Sequence, residues 1–151
     1  MSTARTSLDP VHPREGVAWI TGGSSGIGAA LARELAARGW RVAITARSVD
    51  GLEAVAAPAG RPREGGEIRT YPGDVTNACD MARIVREIEA GYGDLVLAVL
   101  NAGVYLPIDG TAPKLEDFHA SFDVNLKGTA NALHAALAAM RKRQRGQVAI
   151  V

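Results

Sequence analysis

VAWITGGSSGIGAALARELAARGW, residues 17–40, changes periodicity halfway along. Val17 to Thr21 is a short apolar run that ends in a glycine-rich turn, the pattern of a buried strand. From Ile27 to Arg38 apolar residues recur at Ile27, Ala30, Leu31 and Leu35, and Gly39 follows, the pattern of an amphipathic helix with a glycine stop. Between the two lie Thr21, Gly22, Gly26 and Gly28 in the spacing T-G-x-x-x-G-x-G. A strand that turns sharply into a helix while its backbone N–H groups approach a pyrophosphate leaves no room for side chains, so glycine is required there. The helix N-terminus adds its dipole and free donors, and Gly28 lets the helix pack tightly on the strand. Gly22, Ser24, Ser25, Gly26, Ile27 and Gly28 are therefore the expected phosphate-binding residues.

The segments outside this unit alternate in the same way. Arg41–Thr45 reads as a second strand, and 49–57 as a short helix ended by Pro58 and Gly60. Glu67–Tyr71 reads as a third strand. Thr76 is placed to cap a helix running to about Ala90, with Met81, Ile84, Val85 and Ile88 on one face. Leu95–Leu100 is apolar throughout, as a central parallel strand should be. One long helix is expected from about Lys114 to Arg143, with Leu115, Phe118, Phe122, Leu126, Leu133, Leu137 and Met140 at helical spacing. Gly146 ends it, and 147–151 begins a fifth strand. The rhythm specifies an α/β fold, a Rossmann-like doubly wound parallel sheet of about five strands in the order 3-2-1-4-5, truncated at its end. Residues 1–15 read as a flexible tail and 16–151 as the dinucleotide-binding domain.

The second strand ends in Ala-Ile-Thr-Ala-Arg-Ser, so Arg47 stands where an NAD-binding protein usually carries a carboxylate for the ribose hydroxyls. A carboxylate would repel a 2′-phosphate, whereas a guanidinium pairs with it. The expected cofactor is therefore NADP rather than NAD. The same stretch argues against a methyltransferase, whose fold usually wants an acidic residue there.

Composition agrees and narrows the partners. The 151 residues carry a formal net charge of +1, with 47% hydrophobic and 22% charged residues. Neither a nucleic acid nor a membrane surface is indicated by that balance. The first sixteen residues hold no apolar stretch for a secretory signal, and no apolar run approaches the ~20 residues of a membrane span. The single cysteine, Cys79, fits a reducing, cytoplasmic setting and reads as a small residue at a helix start. His12, His119 and His134 lack metal-ligand spacing, so no metal site is expected. Arg141, Lys142, Arg143 and Arg145 read as the solvated C-terminal end of a helix.

Three further stretches, in order, complete a family pattern. TGGSSGIG resembles the cofactor loop of the short-chain dehydrogenase/reductase family. Gly73-Asp74-Val75 is similar to its motif after the third strand, and Leu100-Asn101-Ala102-Gly103 to its N-N-A-G motif, with leucine at the first position. Phe122-Asp123-Val124-Asn125-Leu126-Lys127-Gly128 resembles the stretch around its catalytic asparagine. The resemblance covers Gly16 to the last residue. It implies hydride transfer between NADP(H) and a small-molecule alcohol or carbonyl compound. It places Asp74 and Val75 at adenine, Asn101, Ala102 and Gly103 beside ribose, and Asn125 in a proton relay. It also implies a homo-oligomer that uses the 114–143 helix.

The family's serine and its Tyr-x-x-x-Lys motif are absent from these residues. The tyrosines are Tyr71, Tyr92 and Tyr105, and four residues on stand Val75, Val96 and Asp109. No serine follows Ser121. The chain is therefore expected to bind cofactor without turnover, as a fragment of a reductase or, alternatively, as a non-catalytic NADP(H)-binding short form.

Overall fold

β1 (Val17–Thr21) is buried at every residue. Its alternate side chains enter two different cores, Val17 and Trp19 on one face and Ala18 and Ile20 on the other. A strand covered on both faces is what a parallel sheet flanked by helices requires. In this computed structural model, which describes residues 9–57, 66–107 and 110–151, β1 is the central strand. β2 (Arg41–Thr45) and then β3 (Glu67–Thr70) lie on one side of it, β4 (Leu95–Leu100) and then β5 (Gln147–Ile150) on the other. All pairings are parallel, and the order is the expected 3-2-1-4-5. The expected helix stops Pro58 and Gly60, the first eight residues of the expected tail, and Asp109 lie outside the described residues.

The helices divide between the faces. α1 (Gly26–Ala37) and α2 (Val49–Ala56) cover the face of Ala18 and Ile20. α3 (Ala78–Gly91) and α5 (Thr129–Arg143) cover the face of Val17 and Trp19. Met81, Ile84 and Ile88 of α3 are fully buried there, each contributing on the order of 1.5–3 kcal/mol. β4 carries one irregularity: Val17 pairs with Leu95 and Ala18 with Leu97. Val96 is thus an extra residue, and Val96 and Leu97 both turn toward the α1 side, the result expected of a bulge. Across β1 and β2 the indole Nε1 of Trp19 donates to Thr45 Oγ1 at 2.9 Å, in a fully buried contact.

The helix boundaries depart from the sequence reading in two places. α3 is capped by Asn77, whose Oδ1 accepts from the Cys79 and Asp80 amides, rather than by Thr76. The Thr76 hydroxyl is engaged by Asp74 instead. The expected helix 114–143 is helical along its course but is not one α-helix. α4 (Leu115–Phe122) passes into a π-helical turn (Asp123–Gly128) before α5 begins.

The apolar residues expected at helical spacing along it divide between solvent and core. The large apolar residues Leu115, Phe122, Leu126 and Leu137 are exposed, whereas Ala132, Ala135, Ala136, Ala139 and Met140 lie against α3 and the sheet. The alanines let α5 lie close to α3 and the sheet, and of the expected apolar stripe Met140 is buried there and Leu133 half-buried.

Asp9–Glu15, read from the sequence as part of a loose tail, is held against the domain. Val11 is buried, and Pro13–Glu15 form a 3-10 turn. Arg145, in the turn between α5 and β5, donates to the carbonyls of Asp9 and Pro10 and to the Glu15 carboxylate. A backbone whose carbonyls are bonded to a part-buried guanidinium is fixed despite having no strand or helix of its own.

Candidate functional site

At the carboxyl ends of β1, β2, β3 and β4 lies an open cleft of about 620 Å³. It opens where the chain's path reverses, β2 lying on one side of β1 and β4 on the other, the position at which open α/β sheets bind ligands. Its floor is the β1–α1 loop with Gly22, Ser24, Ser25, Gly26 and Ile27. Ala46, Arg47 and Ser48 follow β2, Gly73, Asp74 and Val75 follow β3, and Asn101, Ala102, Gly103 and Val104 follow β4, with Val124 beside them. Of the expected binding residues, all but Gly28 line this cleft.

The floor is built from backbone. Gly22 has φ +69°, and a Cβ on it would stand 2.8 Å from Ala102 Cα, so both the turn and the close approach of the two loops exclude a side chain. Gly28 is fully enclosed. A Cβ there would collide with the Gly22 carbonyl oxygen and stand 2.7 Å from Asn101 Nδ2. Its part is to bring α1 onto the loop, not to face a ligand. Ser25 occupies the N-cap position of α1 in extended conformation without capping it through its side chain. The first-turn N–H groups of α1 therefore open on the cleft without a side-chain partner, an arrangement suited to an anion.

The β4 rim is tied to this floor. The buried Thr21 hydroxyl accepts from the Asn101 and Ala102 amides at 3.0 and 3.1 Å. Asn101 Nδ2 donates to the Thr21 and Gly22 carbonyls, so its side chain is spent on holding the loop. The sequence reading missed Thr21 as a site residue, although it opens the glycine motif. Leu100, which stands at the family's first asparagine, is buried among apolar neighbours.

Asn125 does not line the cleft. Its Oδ1 accepts from the Val104 amide at 2.8 Å and its Nδ2 donates to the Val104 carbonyl at 3.0 Å, which places it directly behind the rim. On the opposite wall, Asp74 Oδ1 accepts from the amide and the hydroxyl of Thr76, both at 2.9 Å. The Asp74 amide donates to Asp80 Oδ2 and, with Arg83 nearby, holds the Asp80 carboxyl below its ordinary range. Ala46, Ser48, Gly73, Val104 and Val124 were not singled out from sequence. Each adjoins a residue that was, and only the folded rim shows how far the cleft extends along each motif.

Arg47 is exposed at the rim, and among the described residues it has no hydrogen bond or ion pair. None of the three tyrosines sits as an acid–base group would. Tyr92 is buried, donates to the Glu67 carbonyl at 2.8 Å and lies under Arg69, and burial pushes its hydroxyl well above the ordinary range. Tyr71 is also raised, mainly by burial, and Tyr105 is open to solvent. Among the described residues no cluster of His, Cys, Asp or Glu could hold a metal ion, and no helix is long and apolar enough to cross a membrane.

The cleft's shape has counterparts in known proteins. The sequence profile of short chain dehydrogenases matches residues 16–151. A 3-dehydrosphinganine reductase of Arabidopsis thaliana, TSC10A, is 38% identical over 142 residues, covering 93% of this chain and 41% of its own length. A 3-oxoacyl-acyl-carrier-protein reductase of Bos taurus is 35% identical over 129 residues, covering 85% of this chain and 52% of its own. Among solved structures, a short-chain type dehydrogenase/reductase from Mycobacterium ulcerans superposes with a TM-score of 0.84 at 32% identity, over 90% of this chain and 50% of that one. An alcohol dehydrogenase from the archaeon Thermococcus sibiricus, complexed with 5-hydroxy-NADP, gives 0.79 at 36% identity, over 89% of this chain and 57% of that one. The chain thus spans about half the length of the relatives it matches. With its profile matched from Gly16 to Val151 and its sheet, glycine loop and asparagine clamp in place, the chain belongs to the short-chain dehydrogenase/reductase family.

Proposed function

We propose that these residues bind NADP(H) in preference to NAD(H), as the cofactor-binding part of an oxidoreductase that transfers hydride between NADP(H) and a small alcohol or carbonyl compound. The glycine floor and the uncapped first turn of α1 fit a pyrophosphate, which a Cβ at Gly22 would obstruct. The observation that carries the preference is Arg47, an uncommitted guanidinium at the rim beside β2. It would take a 2′-phosphate as a charge-assisted pair. The Asp74 and Val75 wall would face adenine, Asn101, Ala102 and Gly103 would flank ribose, and Asn125 would support a proton relay.

Bound NADP(H) supplies the hydride or accepts it. What this chain contributes is the cradle, the charge match and the placement of Val104 by Asn125. The 151 residues include no Tyr-x-x-x-Lys, so by themselves they bind cofactor and do not turn it over. A cytoplasmic setting, suggested by the lone Cys79, belongs to the same reading. So does a homo-oligomer through the exposed Leu115, Phe122, Leu126 and Leu137, which sedimentation would detect as a second copy.

Calorimetric titration tests the cofactor. The chain should bind NADPH at least about tenfold more tightly than NADH. Arg47→Ala should cost about ten- to a hundredfold on NADPH, since hydrogen bonds to a charged group contribute about 1.5–3 kcal/mol, and leave NADH unchanged. Equal affinity of the wild-type chain for the two would overturn the preference.

A further inference from the structure

The two walls of the cleft are held by one stretch of helix. On the β4 side, Asn125 grips Val104. On the β3 side, the backbone carbonyl of Val75 accepts a hydrogen bond from Asn131 Nδ2 at 2.9 Å, 56 residues away in the chain. The Val75 side chain, 7% exposed, is seated on Gly128, where a Cβ would stand 2.6 Å from Val75 Cγ2. Asn125 and Gly128 belong to the π-helical turn, and Asn131 to the first turn of α5.

The rest of the β3 loop is tied elsewhere. Asp74 bonds to Thr76 and Asp80, in the loop and on the helix that follows, and the Gly73 amide donates to the Ala46 carbonyl beside Arg47. Asn131 therefore supplies the side-chain tie between this loop and the helix that carries Asn125. It touches the wall's backbone and does not line the cleft.

We infer that Asn131, with Gly128 as its seat for Val75, is a positioning residue for the bound dinucleotide. It fixes the Asp74–Val75 wall at a set distance from the Ala102–Val104 wall. The inference rests on the cofactor reading above. The 2′-phosphate end of the ligand lies at Arg47, and Arg47 adjoins this wall through the Gly73–Ala46 bond, so the adenosine half is the part that Asn131 governs. A side chain of the same size without a donor leaves the Val75 carbonyl unanchored, and the wall no longer holds its place.

The test uses NADPH and adenosine 2′,5′-bisphosphate as calorimetric probes, with amide hydrogen exchange across 73–76 as a readout that needs no ligand. Asn131→Leu and Asn131→Asp should weaken both probes by the same factor, about five- to tenfold, and speed exchange at Val75 and Thr76 while β1 stays protected. Asn131→His, whose Nδ1–H stands where Nδ2 stood, should restore binding to within about twofold. A leucine variant that melts lower yet binds both probes as the wild type does would overturn the inference, leaving a purely structural asparagine. If the wild-type chain binds neither probe, it is the cofactor reading that fails. Asn131 is then judged by exchange alone, and unchanged exchange in the leucine variant overturns its role.

Discussion

Asn125 satisfies both backbone polar groups of Val104 with one side-chain amide, accepting at 2.8 Å and donating at 3.0 Å. The carboxamide thus pairs like an adjacent strand, at a point where the chain after β4 has no strand beside it. The π-helical turn brings Asn125 there, and such turns occur frequently at functional sites. Thr129 Oγ1 donates to the Asn125 carbonyl at 2.8 Å within the same helix.

Asn125→Ala should release Val104. Two exposed hydrogen bonds, each at the lower end of the usual net range, about 0.5–1 kcal/mol, predict a loss of about 1–2 kcal/mol in urea unfolding. Exchange of the Val104 amide should accelerate. An unchanged exchange rate there would show that the rim keeps its shape without the clamp.

Gly28→Ala should be more damaging than its size suggests. The added methyl meets the Gly22 carbonyl and Asn101 Nδ2 at once, and overpacking of this kind costs about 1–3 kcal/mol. Because the displaced atoms form the cleft floor, NADPH affinity should fall by at least about tenfold, in parallel with the melting temperature. Calorimetry and thermal melts on the same sample check both.

Thr45→Val keeps the shape of the side chain and removes the acceptor for the Trp19 indole N–H. Leaving a buried donor unpaired costs about 1–3 kcal/mol. Thr45→Ser, which retains the hydroxyl, should recover most of that cost. Chemical denaturation of the two variants separates the hydrogen bond from the packing.

Glu89 predicts an acid limit. Burial pushes its carboxyl up, but hydrogen bonds from Arg143 and the Leu95 amide, helped by Lys142, outweigh burial and hold it below its ordinary value of 4.5. A carboxylate depressed in the folded state stabilises fully above its unfolded pKa, and that contribution is lost as pH falls through the lower, folded value. Stability measured by urea should therefore drop as pH is lowered below about 4.5, and Glu89→Gln should flatten that limb while lowering the plateau near pH 7. A variant with an unchanged acid limb would assign the loss to other carboxylates.

The sequence by itself determined the order of elements, the parallel sheet and the glycine floor. Each follows from local rules: apolar runs of strand length, helical spacing after residue 26, and a turn into which no side chain fits. The position of Arg47 at the end of β2 was legible for the same reason. Which face of the 115–143 stretch meets the sheet was not. Large apolar residues and alanines both repeat at helical spacing, and only the packing of α5 on α3 and the sheet makes Ala132, Ala135, Ala136, Ala139 and Met140 the buried set. Nor could spacing reveal the π-helical turn, the Asn131 bond to Val75 or the anchoring of Asp9–Glu15 by Arg145. The last two join residues 56 to 136 positions apart, and hydrogen bonds between polar side chains and distant carbonyls leave no periodic trace in the chain. They exist only once the sheet has brought the partners within reach.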